Sequence, residues 1–599
     1  MDDKSTTQQW LPAYAATQPR RGRHTLLKAP LATILFVITL TTLFFRPPLS
    51  LFSHSSRRRP QQPNVIIMIS DGYGPASHTM ARTFYRLTHQ NDSEPIPEFG
   101  WGFPLDSALV GSHRSRSSSS LITDSAAGAT AFSCGKKSYN GGIAVDSEGK
   151  SCQTVFEAAK AQGYLTGVVV TSRLTDATPA CFYAHAASRS QESYIASQML
   201  EKPETGGQRT IDLAVGGGGC FFLPMGDPLS CRSDDRDLVT EATDAGWEVR
   251  LGDTMLQSIA EVGPHGEVIS RGQPAKNTSS ERLRALQTPR LPFLSLLSPS
   301  NTPYVVDIPA DSEGKTSFPT LAELSEQALQ VLSKGKMSSD STSPRCSVWD
   351  RLRRHRRSRK SRPFMLMIEG SQIDLCQHEN DAACMVREAV AYQEAAALVK
   401  EYVDELNKQG RPTLLISTSD HETGGLTLGR QLTEDYPEYA YYPERLSGVK
   451  ASAGTLSARL LHFWRQEKPS EGDLREHVAA HILGGKGGLG FGEEKSGGPV
   501  TDDEVGLVVS CLREHGSATA RPLDDEEGGN EPPPIDNGDD CRKAIAEVAS
   551  RRAQVGWSSS GHTGVDINLY AHGYGADGLR GNIENTDVSA RNVGGEGRD

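Results

Sequence analysis

The segment Thr413–Gly425, TLLISTSDHETGG, runs through apolar residues and stops on an Asp, a His and then two glycines. A short apolar run bounded by turn residues predicts a buried strand. Gly424 and Gly425 predict that the chain turns away soon afterwards. In a strand, neighbouring side chains point to opposite faces, so Asp420 and His421 can serve one ion only if the chain has already left it. Comparable runs occur at NVIIMIS (Asn64–Ser70), LTGVVVTS (Leu165–Ser172) and FMLMIEG (Phe364–Gly370). Helix-like QTVFEAAKAQG (Gln153–Gly163) precedes the second, and AACMVREAVAYQEAAALVKEYVDELNKQG (Ala382–Gly410) precedes TLLISTS. Strands alternating with helices predict an α/β sandwich, with a mainly parallel central sheet flanked by helices.

The chain has 599 residues, of which 37% are hydrophobic, enough to bury a large core. A formal charge of -11 argues against a general nucleic-acid binder, and an anionic substrate needs a local positive site. Ala29–Phe45 (APLATILFVITLTTLFF) carries no charge and nearly suffices to span a bilayer. Arg20, Arg21, Arg23 and Lys28 precede it and favour a cytoplasmic N-terminus, although Arg46 and Arg57–Arg59 weaken the asymmetry. The expected layout is a cytoplasmic tail at 1–28, a transmembrane signal-anchor helix at 29–45 and a Pro- and Arg-rich linker at 46–63. A catalytic domain at 64–575 and a C-terminal tail at 576–599 complete it. A cleaved signal peptide is the rival reading of 29–45.

All ten cysteines follow that segment, which fits a lumenal or extracellular body with disulfides. Cys220 and Cys231 are close enough to bridge a short loop, and Asn91 and Asn277 head glycosylation sequons. Residues 338–362, ending in RLRRHRRSRKSR, and 516–540, containing DDEEGGNEPPPIDNGDD, read as disordered insertions. Gly216–Gly219 and GGKGGLGFG from Gly484 read as loops, because neither has the setting of a phosphate-binding loop.

Acids gather where the strands are expected to end: Asp71, Glu369 with Asp374, and Asp420 beside His421. Carboxyl ends of strands line the usual ligand crevice of an open α/β sheet, so these residues can converge there. A single Asp in such a place ordinarily caps a helix or makes a turn. Asp374 and His378, four apart, can share one helical face and offer an oxygen and a nitrogen to one ion; an ordinary surface pair is the plain alternative. A third histidine is available in SSSGHTGVDINLYAHGYG, where both His562 and His572 qualify.

MISDGYG, TDSAAGATAF, DATPACFYAHAASR, EGSQIDLCQH, SDHETGG and GHTGVD, in this order, resemble the motifs of the alkaline phosphatase family. The resemblance runs from about Asp71 to Asp566, and the anchored layout is similar to that of its yeast-type vacuolar members. It implies the family's sandwich fold, and hydrolysis of small phosphate monoesters with broad specificity through a phosphoserine. It implies Ser125 as nucleophile, Asp374, His378 and His562 on one zinc, and Asp71, Asp420 and His421 on a second. Asp71, Thr178 and Glu369 would hold a magnesium, with Asp176 acting through its waters and Arg189 gripping phosphate. Two Zn2+ and one Mg2+ per chain, a homodimer and a body in the vacuolar lumen follow from the same resemblance; a plasma-membrane or secreted location is the alternative. Such a set makes chemical sense, because a serine hydroxyl and a departing alkoxide each need a cation, and two ions about 4 Å apart serve both. Sulfatases of the wider superfamily are disfavoured, since their Cys-x-Pro-x-Arg signature is missing. A phosphodiesterase or phosphotransferase on the same core and a catalytically silent, membrane-anchored metal-binding protein are the competing readings. One departure stands out: Leu375 occupies a place where bacterial members carry Lys, which is expected to leave Asp176 without that cationic partner.

Overall fold

The computed structural model describes residues 62–89, 102–201, 209–252, 289–309, 316–334, 361–485, 487–515 and 539–593, with short pieces at 255, 261–262 and 268–269. The expected membrane anchor at 29–45, the sequons and nearly all of both insertions lie outside these residues. Among the described residues, no helix is long and apolar enough to cross a membrane.

Ten strands build the central sheet: β1 (Asn64–Ser70), β2 (Leu109–Arg114), β3 (Leu165–Arg173), β4 (Leu213–Gly217), β5 (Glu248–Leu251), β6 (Phe293–Leu296), β7 (Phe364–Gly370), β8 (Thr413–Thr418), β9 (Ile567–Gly573) and β10 (Gly581–Glu584). Their spatial order is β10-β2-β9-β8-β1-β7-β3-β4-β6-β5. Every neighbouring pair is parallel except those of β9, which runs against both β8 and β2. The expected sandwich is therefore present.

Alternation along the central strands divides the core. Ile66 and Met68 of β1, with Leu366 and Ile368 of β7, join one apolar cluster that includes Tyr392, Ala395 and Val399 from the long helix Ala382–Lys408. Val65, Ile67 and Ile69, with Met365 and Met367, join the other, which includes Ala126, Ala129 and Phe132 from the helix Ser125–Cys134. Each fully buried aliphatic side chain is worth about 1.5–3 kcal/mol, so covering both faces with helices anchors the middle of the sheet most firmly.

The register sets the position of the site. Ser70 lies opposite Gly370 and Ile69 opposite Thr418, so Asp71, Glu369 and Asp420 reach the same end of the sheet. Four disulfides, Cys134–Cys152, Cys220–Cys231, Cys376–Cys384 and Cys511–Cys541, tie local segments. The 220–231 loop closure read from spacing is among them, and this disulfide content fits an oxidising compartment.

Two boundaries differ from expectation. The chain beyond 575 is no simple tail: Gly581–Glu584 pairs with β2 and a helix follows over Asn585–Val593. Ile583 buries its side chain there, which a single apolar residue between Asn582 and Glu584 did not advertise. Gly216 and Gly217 end β4 instead of lying wholly in a loop, because Gly217 packs against the Ser300 carbonyl where a side chain has no room.

Candidate active site

Five segments deliver seven of the candidate residues. Asp71 follows β1 directly, ahead of the helix α1 (Pro75–His89), and Glu369 is the penultimate residue of β7. Asp374 and His378 lie on α4 (Gln372–His378), which starts two residues after that strand. Asp420 and His421 follow β8 after one intervening residue, so the chain has left the strand as expected. His562 pairs with Thr423 in a two-residue antiparallel ladder, which brings the two loops together. His572 sits elsewhere, in β9, with Nε2 2.6 Å from Asp404 Oδ1, so His562 and not its local rival joins the cluster.

Ser125 opens the helix α2 (Ser125–Cys134) and is buried. Asp124 caps that helix by accepting from Ala127 N at 2.9 Å, and its second oxygen accepts from Gly141 N at 2.8 Å. The amide-rich helix start suits a bound anion. Gly128 allows the helix to approach the second loop, because a Cβ there would fall 2.9 Å from Asp420 Cβ. The small residues of SAAGATA are thus a packing requirement.

The hydrogen bonds decide the histidine tautomers. His378 Nδ1 lies 2.6 Å from the Ser560 carbonyl and His562 Nδ1 lies 2.8 Å from the Thr123 carbonyl. A carbonyl only accepts, so both Nδ1 atoms carry the proton and both Nε2 atoms keep a lone pair when the rings are neutral. His421 Nδ1 is 3.2 Å from Thr423 Oγ1, whose own hydroxyl hydrogen goes to Asp374 Oδ1. Its Nε2 is bare as well.

These lone pairs converge on carboxylates. His421 Nε2 lies 3.2 Å from Asp420 Oδ2, 3.5 Å from Asp71 Oδ1 and 3.1 Å from Ser125 Oγ. His378 Nε2 lies 3.1 Å from Asp374 Oδ2 and 3.1 Å from His562 Nε2, which is 3.8 Å from Asp374 Oδ1. The His421 and His562 rings stack with centroids 3.5 Å apart. Ligand atoms of Asp71, Asp420 and His421, and likewise of Asp374, His421 and His562, lie within 4.8 Å of one another. His421 therefore stands between the two groups.

Electrostatics single out the same residues. Burial, then the charges of Asp420, Asp374 and Glu369, push the Asp71 carboxyl well up. Burial and the charges of Asp176 and Asp420 do so for Glu369, and burial with the Asp374 charge raises Asp420. Burial and neighbouring His562 hold His421 well down, in its neutral form. Burial opposes charge on His378, but the hydrogen bond and charge of Asp374 win and raise it to about 9. Asp71 Oδ1, Asp420 Oδ2 and Thr178 Oγ1 are buried without a hydrogen-bond partner. Unpaired carboxylate oxygens facing bare imidazole nitrogens are costly alone and form a suitable N/O donor set for divalent cations. The residues fit such ions.

Arg189 flanks the start of α2, with NH2 3.0 Å from Asp176 Oδ1 and NH1 3.4 Å from Asp124 Oδ2. Asp176 caps the helix α3 (Ala177–Tyr183), whose second residue is Thr178. Leu375 does not leave Asp176 without a cation, because Arg173 NH2 lies 3.1 Å from Asp176 Oδ2. Burial raises the Asp176 carboxyl, yet the two guanidiniums outweigh it and hold the group below its ordinary range. Arg173 went unseen in the sequence because TSRLTD looks like any polar strand exit. Glu422 was missed similarly: buried, it accepts from Gly425 N at 3.3 Å, Leu426 N at 3.2 Å and the Thr563 hydroxyl, and joins the loop of His421 to that of His562.

The family model described as Alkaline phosphatase matches residues 62–593. The chain is 35% identical to the Repressible alkaline phosphatase of Saccharomyces cerevisiae, across 94% of this chain and 86% of that protein. It is 35% identical to an Alkaline phosphatase of Schizosaccharomyces pombe, across 93% and 85%. The structure superposes on a cold-active alkaline phosphatase from a psychrophilic Shewanella with a TM-score of 0.60 and 26% identity, covering 88% of this chain and 98% of that one.

Proposed function

This chain belongs to the alkaline phosphatase family, and on that premise we propose that it hydrolyses phosphate monoesters through a phosphoserine on Ser125. The observation that carries this reading is the trio of histidines, each with Nδ1 committed to a hydrogen-bond partner and Nε2 aimed at carboxylates beside a helix-start serine. Asp374, His378 and His562 would hold one zinc ion, Asp71, Asp420 and His421 a second, and Asp71, Thr178 and Glu369 a magnesium, with Asp176 acting through water. When bound, these cations supply the positive charge that stabilises a serine alkoxide and a departing alkoxide.

Ser125 Oγ attacks phosphorus from the N-terminal end of α2, and the ester oxygen leaves with its electron pair to become the alcohol. Water then displaces Oγ, giving inorganic phosphate and restoring the serine. Arg189 pairs with phosphate oxygens through a planar guanidinium suited to two parallel hydrogen bonds. Asp124 keeps the helix start in place for that charge. Two displacements at phosphorus give net retention.

The test is metal analysis with a monoester assay on the purified body. Chelation should stop turnover and zinc with magnesium should restore it, with about two zinc and one magnesium per chain. Full metal content with turnover of diesters alone would favour the phosphodiesterase reading; full metal content with no turnover of any phosphate ester would favour a silent metal-binding protein.

The resemblance in layout supports three further proposals: anchoring through residues 29–45, a body in the vacuolar lumen, and a homodimer. Replacing residues 1–45 with a cleavable secretory signal should release an active, soluble enzyme. A native chain found soluble, with its N-terminus near residue 46, would reject the anchor.

A further inference from the structure

Four charged side chains form a line from the rim of the sheet into the site. Glu192, in the helix Glu192–Leu200, takes Arg173 Nε on both oxygens, at 2.9 and 3.1 Å. Arg173 ends β3, reaches Asn301 Oδ1 with NH1 at 3.3 Å, and meets Asp176 Oδ2 with NH2 at 3.1 Å. Asp176 Oδ1 then receives Arg189 NH2 at 3.0 Å. Thr175 donates its hydroxyl to Glu192 and fixes the outer end.

We propose that Arg173 is a positioning residue of the phosphate site: clamped by Glu192 and Asn301, it holds Asp176, and Asp176 holds the guanidinium of Arg189. This rests on the reading of Arg189 as the phosphate-gripping residue. Each guanidinium nitrogen of Arg173 already has a protein acceptor, so the side chain is committed to the scaffold. Arg189 differs. Its side chain is 38% exposed, its contact to Asp124 is long, and its Nε has no hydrogen-bond acceptor among the described residues. One arginine is built as a strut, and the other is held at Asp176 and Asp124 with its Nε left open. A carboxylate held on one oxygen alone can swing about its Cβ–Cγ bond; engaging the second oxygen removes that freedom and fixes where Arg189 points. Arg173 also adds a fixed positive charge near a dianionic ligand, which favours the ligand in a partly buried setting.

The experiment uses the metal-loaded enzyme and inorganic phosphate as competitive inhibitor, with Arg173→Gln, Arg189→Ala and the double variant, each checked for metal content and thermal unfolding. Arg173→Gln should raise the phosphate inhibition constant and KM roughly tenfold, with kcat changed by less than about threefold. In the Arg189→Ala background the same change should have little further effect, because the strut then has nothing to hold. Arg173→Lys should restore only part of the affinity, since one ammonium cannot reproduce the planar fork shared by Glu192 and Asp176. If Arg173→Gln does not fold, Glu192→Gln, which loosens the same clamp from outside, should raise the constant in the same direction. Unchanged phosphate affinity in a fully metallated Arg173 or Glu192 variant overturns the proposal, as does full additivity with Arg189→Ala. If Arg189→Ala itself leaves phosphate affinity unchanged, the assignment of Arg189 is what fails.

Discussion

His421 Nε2 lies 3.1 Å from Ser125 Oγ, while Nδ1 of the same ring is tied through Thr423 to Asp374. The proposed nucleophile thus touches one candidate metal group, and a single threonine links that group to the other.

Ser125→Ala should abolish the phosphoenzyme and lower kcat by at least about 10³-fold, while most bound zinc remains, because the carboxylates and imidazoles around it are intact. Rapid acid quench with labelled substrate reads the covalent step. Label recovered on another residue of the unaltered enzyme would reject this nucleophile.

Glu422→Ala should speed zinc release to a chromogenic chelator about tenfold, because it cuts the hydrogen bonds that join the His421 loop to the His562 loop. Added zinc should recover part of the activity. Release at the unaltered rate would show that the loops hold together without it.

Gly424→Ala should lower thermal stability, because φ is +87° there and a Cβ would lie 2.5 Å from the Trp557 ring. A cost of about 1–3 kcal/mol is expected from the backbone alone. Thermal unfolding checks it, and removing the ring with Trp557→Ala in the same chain should relieve only the steric part.

Glu388, in the long helix, is pushed up to about 8 by burial, with the Asp307 charge adding to the effect. A carboxyl raised in the folded state binds more protons folded than unfolded, so it costs stability as pH rises. The cost is absent below the unfolded value near 4.5, grows through the window between, and is complete above about 8. Glu388→Gln can still accept from Val305 N and carries no charge. Its melting temperature should therefore exceed that of the unaltered protein at pH 9, by about 2 °C or more, and match it near pH 5. Equal melting temperatures across that range would show that Glu388 does not titrate in this way.

The alternation of strand and helix, the strand exits at Asp71, Glu369 and Asp420, and the i, i+4 pair Asp374–His378 were legible in the sequence, because each depends on local periodicity and turn chemistry. Motif order then carried the resemblance and, with it, the roles proposed for Ser125 and Arg189. Nothing local separates His562 from His572, since both lie in one Gly- and Ser-rich neighbourhood; only the ladder between Thr423 and His562 and the pairing of His572 with Asp404 decide. Arg173 and Glu422 were invisible for the same reason: a charged residue reads as solvated until packing removes the water around it. The outer strand Gly581–Glu584 also emerged only in three dimensions, through pairing with β2 far away in sequence. From the sequence alone came the parts and their chemistry, because those follow from residue type and spacing. Tertiary structure decided which lone pairs meet which carboxylates, because parallel register and loop pairing across hundreds of residues set those distances.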